Sequence, residues 1–185
     1  LLMTAQPPAL DIVDETLPDP AALKERALAV EDAARAIPGI TNSEGGGASM
    51  GRSQIALATS HGFAGSYAAT SHGTWASVLA GEGAGMQRDH ASHSARHLAD
   101  LEQAEEIGRR AGQRAIARLG AEKIKGGAMP VIFDPRAGGS LIGHLIGAIA
   151  GSAITRRSSF LLDDMGKQLF DSAVSIIDDP LVKRG

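Results

Sequence analysis

The stretch AGGSLIGHLIGAIAGSAI, from Ala137 to Ile154, carries no formal charge. Its leucines and isoleucines recur at spacings of three and four residues, which predicts one helix over the whole stretch. Glycines recur every four residues along the same helix and form a second stripe: Gly139, Gly143, Gly147 and Gly151. Because glycine has no side chain, such a stripe lets another backbone come very close, so it predicts a packing surface.

Three interpretations of this helix compete. A transmembrane span is disfavoured, because the glycines, two serines and His144 leave the stretch only weakly apolar. A buried packing helix without chemistry is what the pattern favours. A helix that stands where relatives have an active site is the third interpretation, and composition alone does not support it.

A family resemblance supports that third interpretation. Five blocks carry it, in this order along the chain: TNSEGGGASMGRSQIALATSHGF (41–63), VLAGEGAGMQRD (78–89), SARHLADLEQAEEIGRRA (94–111), VIFDPRAGGSLIGHLIGAIAG (131–151) and SSFLLDDMGKQLF (158–170). Together they resemble the TldE branch, also called PmbA, of the TldD/PmbA family of metalloprotease-related proteins. The resemblance covers nearly all of the chain from residue 19 onward, and it suggests an internal portion of a longer protein.

In the TldD branch of that family, the matching helix carries the motif HExxxH, whose histidines bind a metal and whose glutamate acts as a base. Here Gly143 stands at the first histidine, His144 at the glutamate and Ala148 at the second histidine. Glycine and alanine have no donor atoms in their side chains. The resemblance therefore implies no catalytic residue, no metal ligand and no cofactor in this chain, with zinc expected in a TldD-like partner.

The function implied by the resemblance is that of a non-catalytic TldE/PmbA-type subunit of a heteromeric TldD/TldE metalloprotease, which cleaves unfolded or modified peptides. Such a subunit would be inactive alone. Its partners would be a TldD-like catalytic subunit and a peptide substrate, and it could form a homodimer in isolation. The alternatives are a regulatory binding protein of the DNA gyrase modulator type and an independent peptidase with an unrecognised site. No G-x-S-x-G elbow, in which a strand turns into a helix at the serine, and no zincin pattern supports an independent peptidase.

Candidate interface or peptide-binding residues lie on the helix and just after it. They are Gly139, Gly143, His144, Gly147, Arg156, Arg157, Ser158 and Ser159. The arginine pair has two interpretations. It could hold a peptide carboxylate bidentately, or it could be a charged stop to an apolar helix, which the pattern favours.

Composition narrows the class of partner. The formal net charge is −3, so the chain lacks the basic footprint of a nucleic-acid-binding protein. Cysteine is absent, which excludes disulfides and thiolate metal sites within the chain. The first residues lack the pattern of a signal peptide. We therefore expect a cytoplasmic protein with no nucleic-acid or membrane partner.

The order of patterns along the chain predicts three segments. Residues 1–18 are rich in proline and acidic residues, and we expect a linker or a truncated element. Residues 19–122 predict a helix–sheet–helix domain, and residues 128–185 predict the start of a second, C-terminal-type α/β domain. The predicted fold class is α+β, with a mainly antiparallel sheet packed by helices.

Local patterns divide the first predicted domain further. An Asp-Pro pair begins a helix over about 19–38, and strand patterns fill residues 40–82, with a bulge or loop expected at 45–47. Asp100 is expected to cap a second helix, with Gln103 as its capping-box partner. In the second predicted domain, residues 129–133 and 174–177 read as strands.

Three histidines, His90, His93 and His97, follow one another at spacings of three and four. On a helix they would share a face, where imidazoles at this spacing could bind a metal. The alternative, which such a segment favours, is that the histidines are polar surface residues at a junction between a strand and a helix.

Overall fold

The computed structural model describes residues 8–185, and the described chain divides into two compact units. The first unit contains residues up to 122 together with residues 179–185, and the second contains residues 123–178. The contacts of residues 179–185 group them with the first unit. The structure of each unit follows separately.

A three-stranded antiparallel sheet forms the centre of the first unit. Its strands are β1 (Ile40–Ala58), β2 (Ala64–Ala80) and β3 (Gln87–Ala95), hydrogen-bonded in the order β1-β2-β3. β1 and β2 form one long hairpin, whereas β3 pairs only with residues 72–80 of β2. The predicted α+β class, with an antiparallel sheet packed by helices, is confirmed.

The glycine run near the start of β1 produces the predicted bulge. The register between β1 and β2 shifts between Ser43 and Gly45, and Gly45 has a φ of 115°, which glycine adopts without strain. Gly47 serves a different purpose. A Cβ there would lie 2.4 Å from Nε1 of Trp75, so the indole rests directly on the β1 backbone.

Helices α1 (Pro20–Arg35) and α2 (Ala104–Ala117) cover one face of the sheet. Asp19 caps α1 as its sequence predicts, because its carboxylate accepts a hydrogen bond from the Ala22 amide at 2.7 Å. The cap predicted for α2 was wrong. Asp100 lies in a short 3₁₀ turn and its carboxylate binds Arg184 at 2.9 Å, so α2 begins after Gln103.

Small aliphatic side chains fill the core between the helices and the sheet. Its fully buried members are Val30, Ala34, Ala76, Val78, Ala80, Ala91, Ile107, Ala111 and Ala115. The side chains of alanine and valine keep the two layers thin. α1 and α2 consequently approach so closely that a Cβ at Gly108 would lie 2.2 Å from the Val30 carbonyl oxygen.

Strand β3 was missed by the sequence interpretation, in which the strand patterns end at residue 82. Its inward side chains include Asp89 and Ala91, and its outward ones include His90 and Ser92. Alternation is present, but only one apolar residue marks the buried face in the middle of the strand. Because most residues of β3 are polar, its alternation of buried and exposed positions gives no apolar pattern in the sequence.

The second unit contains α3 (Pro135–Ile149) and α4 (Gly151–Thr155). The single helix predicted for 137–154 is broken at Ala150, whose ψ of 131° is extended. The strands predicted at 129–133 and 174–177 were also wrong, since neither range is regular strand. A strand needs the backbone of a second strand, and the described residues 123–178 supply none. Across residues 8–185, every helix is too short or too polar to span a bilayer.

The residues expected to form an N-terminal linker are partly fixed to the first unit. The Thr70 amide donates to the Ile12 carbonyl at 2.9 Å, and the Arg184 amide donates to the Leu10 carbonyl at 2.9 Å. Residues 1–7 of that predicted segment lie outside the described residues.

Replacing Gly108 by alanine tests the close helix contact. The added Cβ would overlap the backbone of α1, which cannot move aside as a flexible side chain does. Overpacking costs about 1–3 kcal/mol, which outweighs the roughly 1 kcal/mol that alanine gains in helix propensity. We expect Gly108→Ala to lower the free energy of unfolding measured with urea.

The matched control is Gly51→Ala on β1, where a Cβ would meet no described heavy atom within 4 Å. Its stability should equal or slightly exceed that of the parent protein. If Gly108→Ala proves as stable as Gly51→Ala, the close contact is not a constraint on the fold.

Candidate functional site

Helix α3 carries residues 143, 144 and 148, which the resemblance aligned with a metal motif. Asp134 caps the helix by accepting a hydrogen bond from the Arg136 amide at 2.9 Å. His144 is exposed and Ala148 is buried. Of the three motif positions, only His144 has a donor atom, and a protein zinc site normally takes three or four ligands. The donor set therefore does not fit a metal, and among residues 8–185 no group of three or more His, Asp or Glu side chains is arranged to hold one.

The glycine stripe is uncovered in the described chain. At Gly139, Gly143, Gly147 and Gly151, an added Cβ would meet no described heavy atom within 4 Å. The stripe was predicted to be a packing surface, and the described residues do not pack on it. Within the second unit, the described residues leave the stripe open to a contact from elsewhere in the protein or from another chain.

Large apolar side chains beside the stripe are also exposed. Leu141 is 47% exposed, Ile146 is 58% exposed and Ile149 is 55% exposed. Contiguous apolar surface of this kind usually marks an interface in a soluble protein. The exposed face of α3 therefore has the composition of a docking surface.

The segment from Arg156 to Ser159 closes α4. Arg157 adopts a left-handed conformation with φ of 55°, its amide donates to the Ile154 carbonyl, and the Ser158 amide donates to the Ala153 carbonyl, each at 3.0 Å. This pattern is a Schellman termination, in which glycine usually occupies the left-handed position. Among the described residues, no hydrogen bond or ion pair engages the Arg156 or Arg157 guanidinium. Ser159 is buried, and its hydroxyl accepts from the Leu161 amide at 2.9 Å.

The three histidines do not converge on one point. His90 lies 3.9 Å from the Asp89 carboxylate, His93 lies 3.8 Å from that of Glu102, and the His97 ring contacts the Asp11 carbonyl at 2.8 Å. His90 and His93 also project from opposite faces of β3, since they are three residues apart on a strand. The helix on which they would share a face is absent.

A buried polar cluster that the sequence did not indicate ties residues 11–16 to the sheet. The Asp14 carboxylate accepts hydrogen bonds from the Leu98 amide at 2.7 Å and from the Thr16 amide at 2.8 Å. It also lies 3.3 Å from Nε2 of His72, which is 1% exposed. The Leu98 amide, followed by that of Thr16, lowers the pKa of Asp14 to about 2. An acidic residue within a proline-rich segment gives no sequence signal for such a role.

Comparison with known proteins finds two family domains along the chain. Residues 14–119 match the PmbA/TldA metallopeptidase central domain, and residues 126–185 match the C-terminal domain of the same metallopeptidases. The chain belongs to the TldD/PmbA family. The predicted family is therefore confirmed.

Curated relatives carry the PmbA name. The metalloprotease PmbA of Escherichia coli O157:H7 is 35% identical over 186 residues, which cover 100% of this chain and 41% of that protein. The PmbA homologue of Haemophilus influenzae is 29% identical over 184 residues, covering 99% of this chain and 41% of that protein. The chain thus spans about two fifths of the length of these relatives.

Two solved structures share the fold. A protein of Bacteroides thetaiotaomicron, described as a candidate modulator of DNA gyrase, superposes with a TM-score of 0.86 over 98% of this chain and 42% of its own, at 24% identity. A Thermotoga maritima protein with the same description superposes with a TM-score of 0.74 over 82% of this chain and 35% of its own, at 20% identity. At these identities the likeness concerns the fold alone.

The pH dependence of stability tests the Asp14 cluster. The pKa of Asp14 is lower in the folded chain than its usual value of 3.8, so the ionised carboxylate stabilises the fold above that pH. This contribution is lost as the pH falls from 3.8 to about 2. We expect Asp14→Asn to be less stable at neutral pH and to lose that part of the pH dependence in urea unfolding.

Glu15→Gln is the control, because the neighbouring Glu15 side chain is 80% exposed. It should retain the pH dependence of the parent protein. An unchanged slope between these pH values in Asp14→Asn would show that another carboxylate causes it.

Proposed function

We propose that this chain belongs to a non-catalytic, TldE-type subunit of a heteromeric TldD/TldE metalloprotease acting on unfolded or modified peptides. The proposal rests on the composition of α3. Of the three motif positions, Gly143, His144 and Ala148, only His144 has a side chain that can bind a metal. These missing ligands are informative because the chain belongs to a family in which the TldD branch has them. Without a metal ligand set at these positions, and with His144 in place of the glutamate, α3 lacks the residues of the HExxxH centre.

A TldD-like partner would supply both the zinc and the catalytic glutamate. The uncovered stripe through Gly143 and Gly147, flanked by exposed apolar side chains, supports docking of another chain on α3. Close approach of a second backbone would bury that apolar surface and offset the cost of four helical glycines. In the absence of the partner, the same surface would favour a homodimer. We expect the assembly to act in the cytoplasm.

The arginine pair gives this subunit a means of contributing to peptide binding. The Arg156 and Arg157 side chains are exposed and without a described partner, and guanidinium groups bind carboxylates bidentately. The α4 termination also holds Arg157 in a conformation that costs a non-glycine residue about 1 kcal/mol or more. We infer that these arginines meet either the peptide or the partner subunit.

A regulatory role toward a DNA-acting enzyme is the second candidate, and the descriptions of the two solved structures favour it. The net charge of −3 does not favour direct contact with DNA, because the DNA backbone is also negatively charged. In that role the exposed face of α3 would bind the enzyme itself.

A peptidase assay of the intact protein alone, of a TldD-like partner alone and of the pair tests the first proposal. We expect cleavage of an unfolded peptide by the pair only. Replacing the partner's motif glutamate by glutamine should lower the rate by about 10²–10⁴-fold, the usual contribution of a general base. His144→Ala in this chain should change the rate far less.

Gly147→Leu provides the structural arm of the same experiment. If the partner packs on the stripe, the leucine should weaken assembly by about tenfold or more, and excess partner should restore activity. Gly126→Leu is the matched control, since Gly126 is also uncovered but lies outside α3. Metal-dependent cleavage by the purified protein alone, abolished by His144→Ala, would overturn the proposal in favour of an independent peptidase.

A further inference from the structure

A cavity of about 290 Å³ lies among α1, the first turn of α2 and the middle of the sheet. Its large apolar side chains are Leu23, Leu98 and Leu101. Ligand pockets usually have volumes of roughly 300–1,000 Å³, so this one suits a small molecule rather than a peptide. Every residue of its lining belongs to the first unit.

A buried imidazole without a hydrogen bond is part of the lining. His72 is 1% exposed, and neither of its ring nitrogens hydrogen-bonds to a described residue. Nε2 lies 3.3 Å from Oδ2 of Asp14, but the two atoms are not aligned for a hydrogen bond. Buried polar groups in native proteins nearly always have a hydrogen-bond partner. The exception at His72 is explained if a ligand that enters the cavity supplies the partner.

The first turn of α2 brings free amide groups to the same cavity. The N-cap residue, Gln103, makes no capping hydrogen bond through its side chain with the described residues. Among residues 8–185, none accepts a hydrogen bond from the amides of Ala104 and Glu105, and both residues line the cavity. The N-terminus of a 14-residue helix attracts a carboxylate, because its free N–H groups and the helix dipole both favour negative charge.

Arg26 adds a fixed positive charge to the lining. Its Nε donates to Oγ1 of Thr74 at 2.6 Å and its Nη2 donates to the Glu102 carbonyl. These bonds hold the guanidinium between the sheet and the start of α2. Nη1 makes no hydrogen bond within the described part of the chain, so it is available to a carboxylate, which guanidinium groups bind strongly.

Two carboxylates also line the cavity. Glu25 on α1 and Glu105 on the first turn of α2 are both exposed residues. They would repel a simple anion such as phosphate, but they attract an ammonium group. The lining therefore offers groups for a carboxylate, groups for an ammonium and an apolar surface, which is the combination that an aliphatic α-amino acid presents.

We propose that this cavity binds a free aliphatic α-amino acid, taken from solution. The carboxylate of the ligand accepts hydrogen bonds from the first amides of α2, from Arg26 and from His72. Its ammonium group binds Glu25 and Glu105, and its side chain packs on the leucines. A residue inside a polypeptide lacks both charged groups and a terminal residue lacks one of them, so the site selects free amino acids over peptides.

The inference does not rest on the proposed function. The lining contains no residue of α3 or of the second unit, and the test measures binding rather than peptide cleavage. Failure of one proposal therefore leaves the other standing.

Isothermal titration calorimetry of the intact protein with three probes tests the ligand class. L-leucine carries both charged groups. N-acetyl-L-leucine lacks the ammonium group and stands for a peptide C-terminus, whereas L-leucinamide lacks the carboxylate and stands for a peptide N-terminus. We expect saturable binding of L-leucine, and binding weaker by about tenfold or more for each of the other two, because each loses a charge-assisted interaction.

Two variants and a matched control locate the site. Glu25→Gln and Glu105→Gln change exposed residues, so the fold should be kept, and each should weaken L-leucine binding by about tenfold. Glu106→Gln is the control, because Glu106 is exposed on the same turn of α2 but is not part of the lining. In NMR spectra, the imidazole signals of His72 should shift on saturation with L-leucine, whereas those of the exposed His144 should not.

Four results would overturn the inference. They are no saturable binding of L-leucine, equal affinity for L-leucine and either comparison probe, unchanged affinity in both Glu25→Gln and Glu105→Gln, and unmoved His72 signals at saturation. Equal affinity for N-acetyl-L-leucine would show a site for peptide C-termini, and unmoved His72 signals would place the ligand elsewhere.

Discussion

The close contact between α1 and α2 is the constraint on which the first unit depends. Gly108 and Gly112 lie against the α1 backbone at distances that leave no room for a Cβ. With the helices held this near each other, both reach the same face of a sheet only three strands wide. The side chains between the layers must then be small, and alanine and valine supply most of the core.

The two units differ in how far their own residues bury apolar surface. The first unit has a continuous core between two helices and a sheet. In the second unit, Ile132 is 97% exposed and Phe160 is 79% exposed, and α3 presents a row of uncovered glycines. Exposed apolar surface on this scale costs free energy in water. The proposed docking of a partner on α3 would bury the part of this surface that lies on α3, which links the energetics of that helix to its proposed function.

Sequence reasoning succeeded where a local rule was enough. An Asp-Pro pair and a clear apolar stripe placed α1, and a run of three glycines marked the bulge at Gly45. It failed where a distant group decided the outcome. The Asp100 carboxylate binds Arg184, 84 residues away, so it does not cap α2. The apolar segment 129–133 resembles a strand, but strand formation depends on a partner that local sequence does not specify. Likewise, only the fold brings Asp14 to His72.

The glycine stripe can be explained only by a contact with another chain or with another part of the protein. Its residues are costly in a helix, and within the described chain nothing approaches them. The family motif explains the position of the helix, and the absence of donor atoms at 143 and 148 explains why that position need not hold a metal. Both features fit the proposed role of this helix in assembly.

Hydrogen exchange of the α3 amides, measured with and without a TldD-like partner, tests this central claim most directly. The account predicts that residues 139–149 of the intact protein exchange more slowly in the complex, because a packed helix opens less often than an exposed one. The amides of α2, which are already protected by the core, should be unaffected. Unchanged exchange across α3 in a complex that has formed would contradict the account, since the partner would then bind elsewhere.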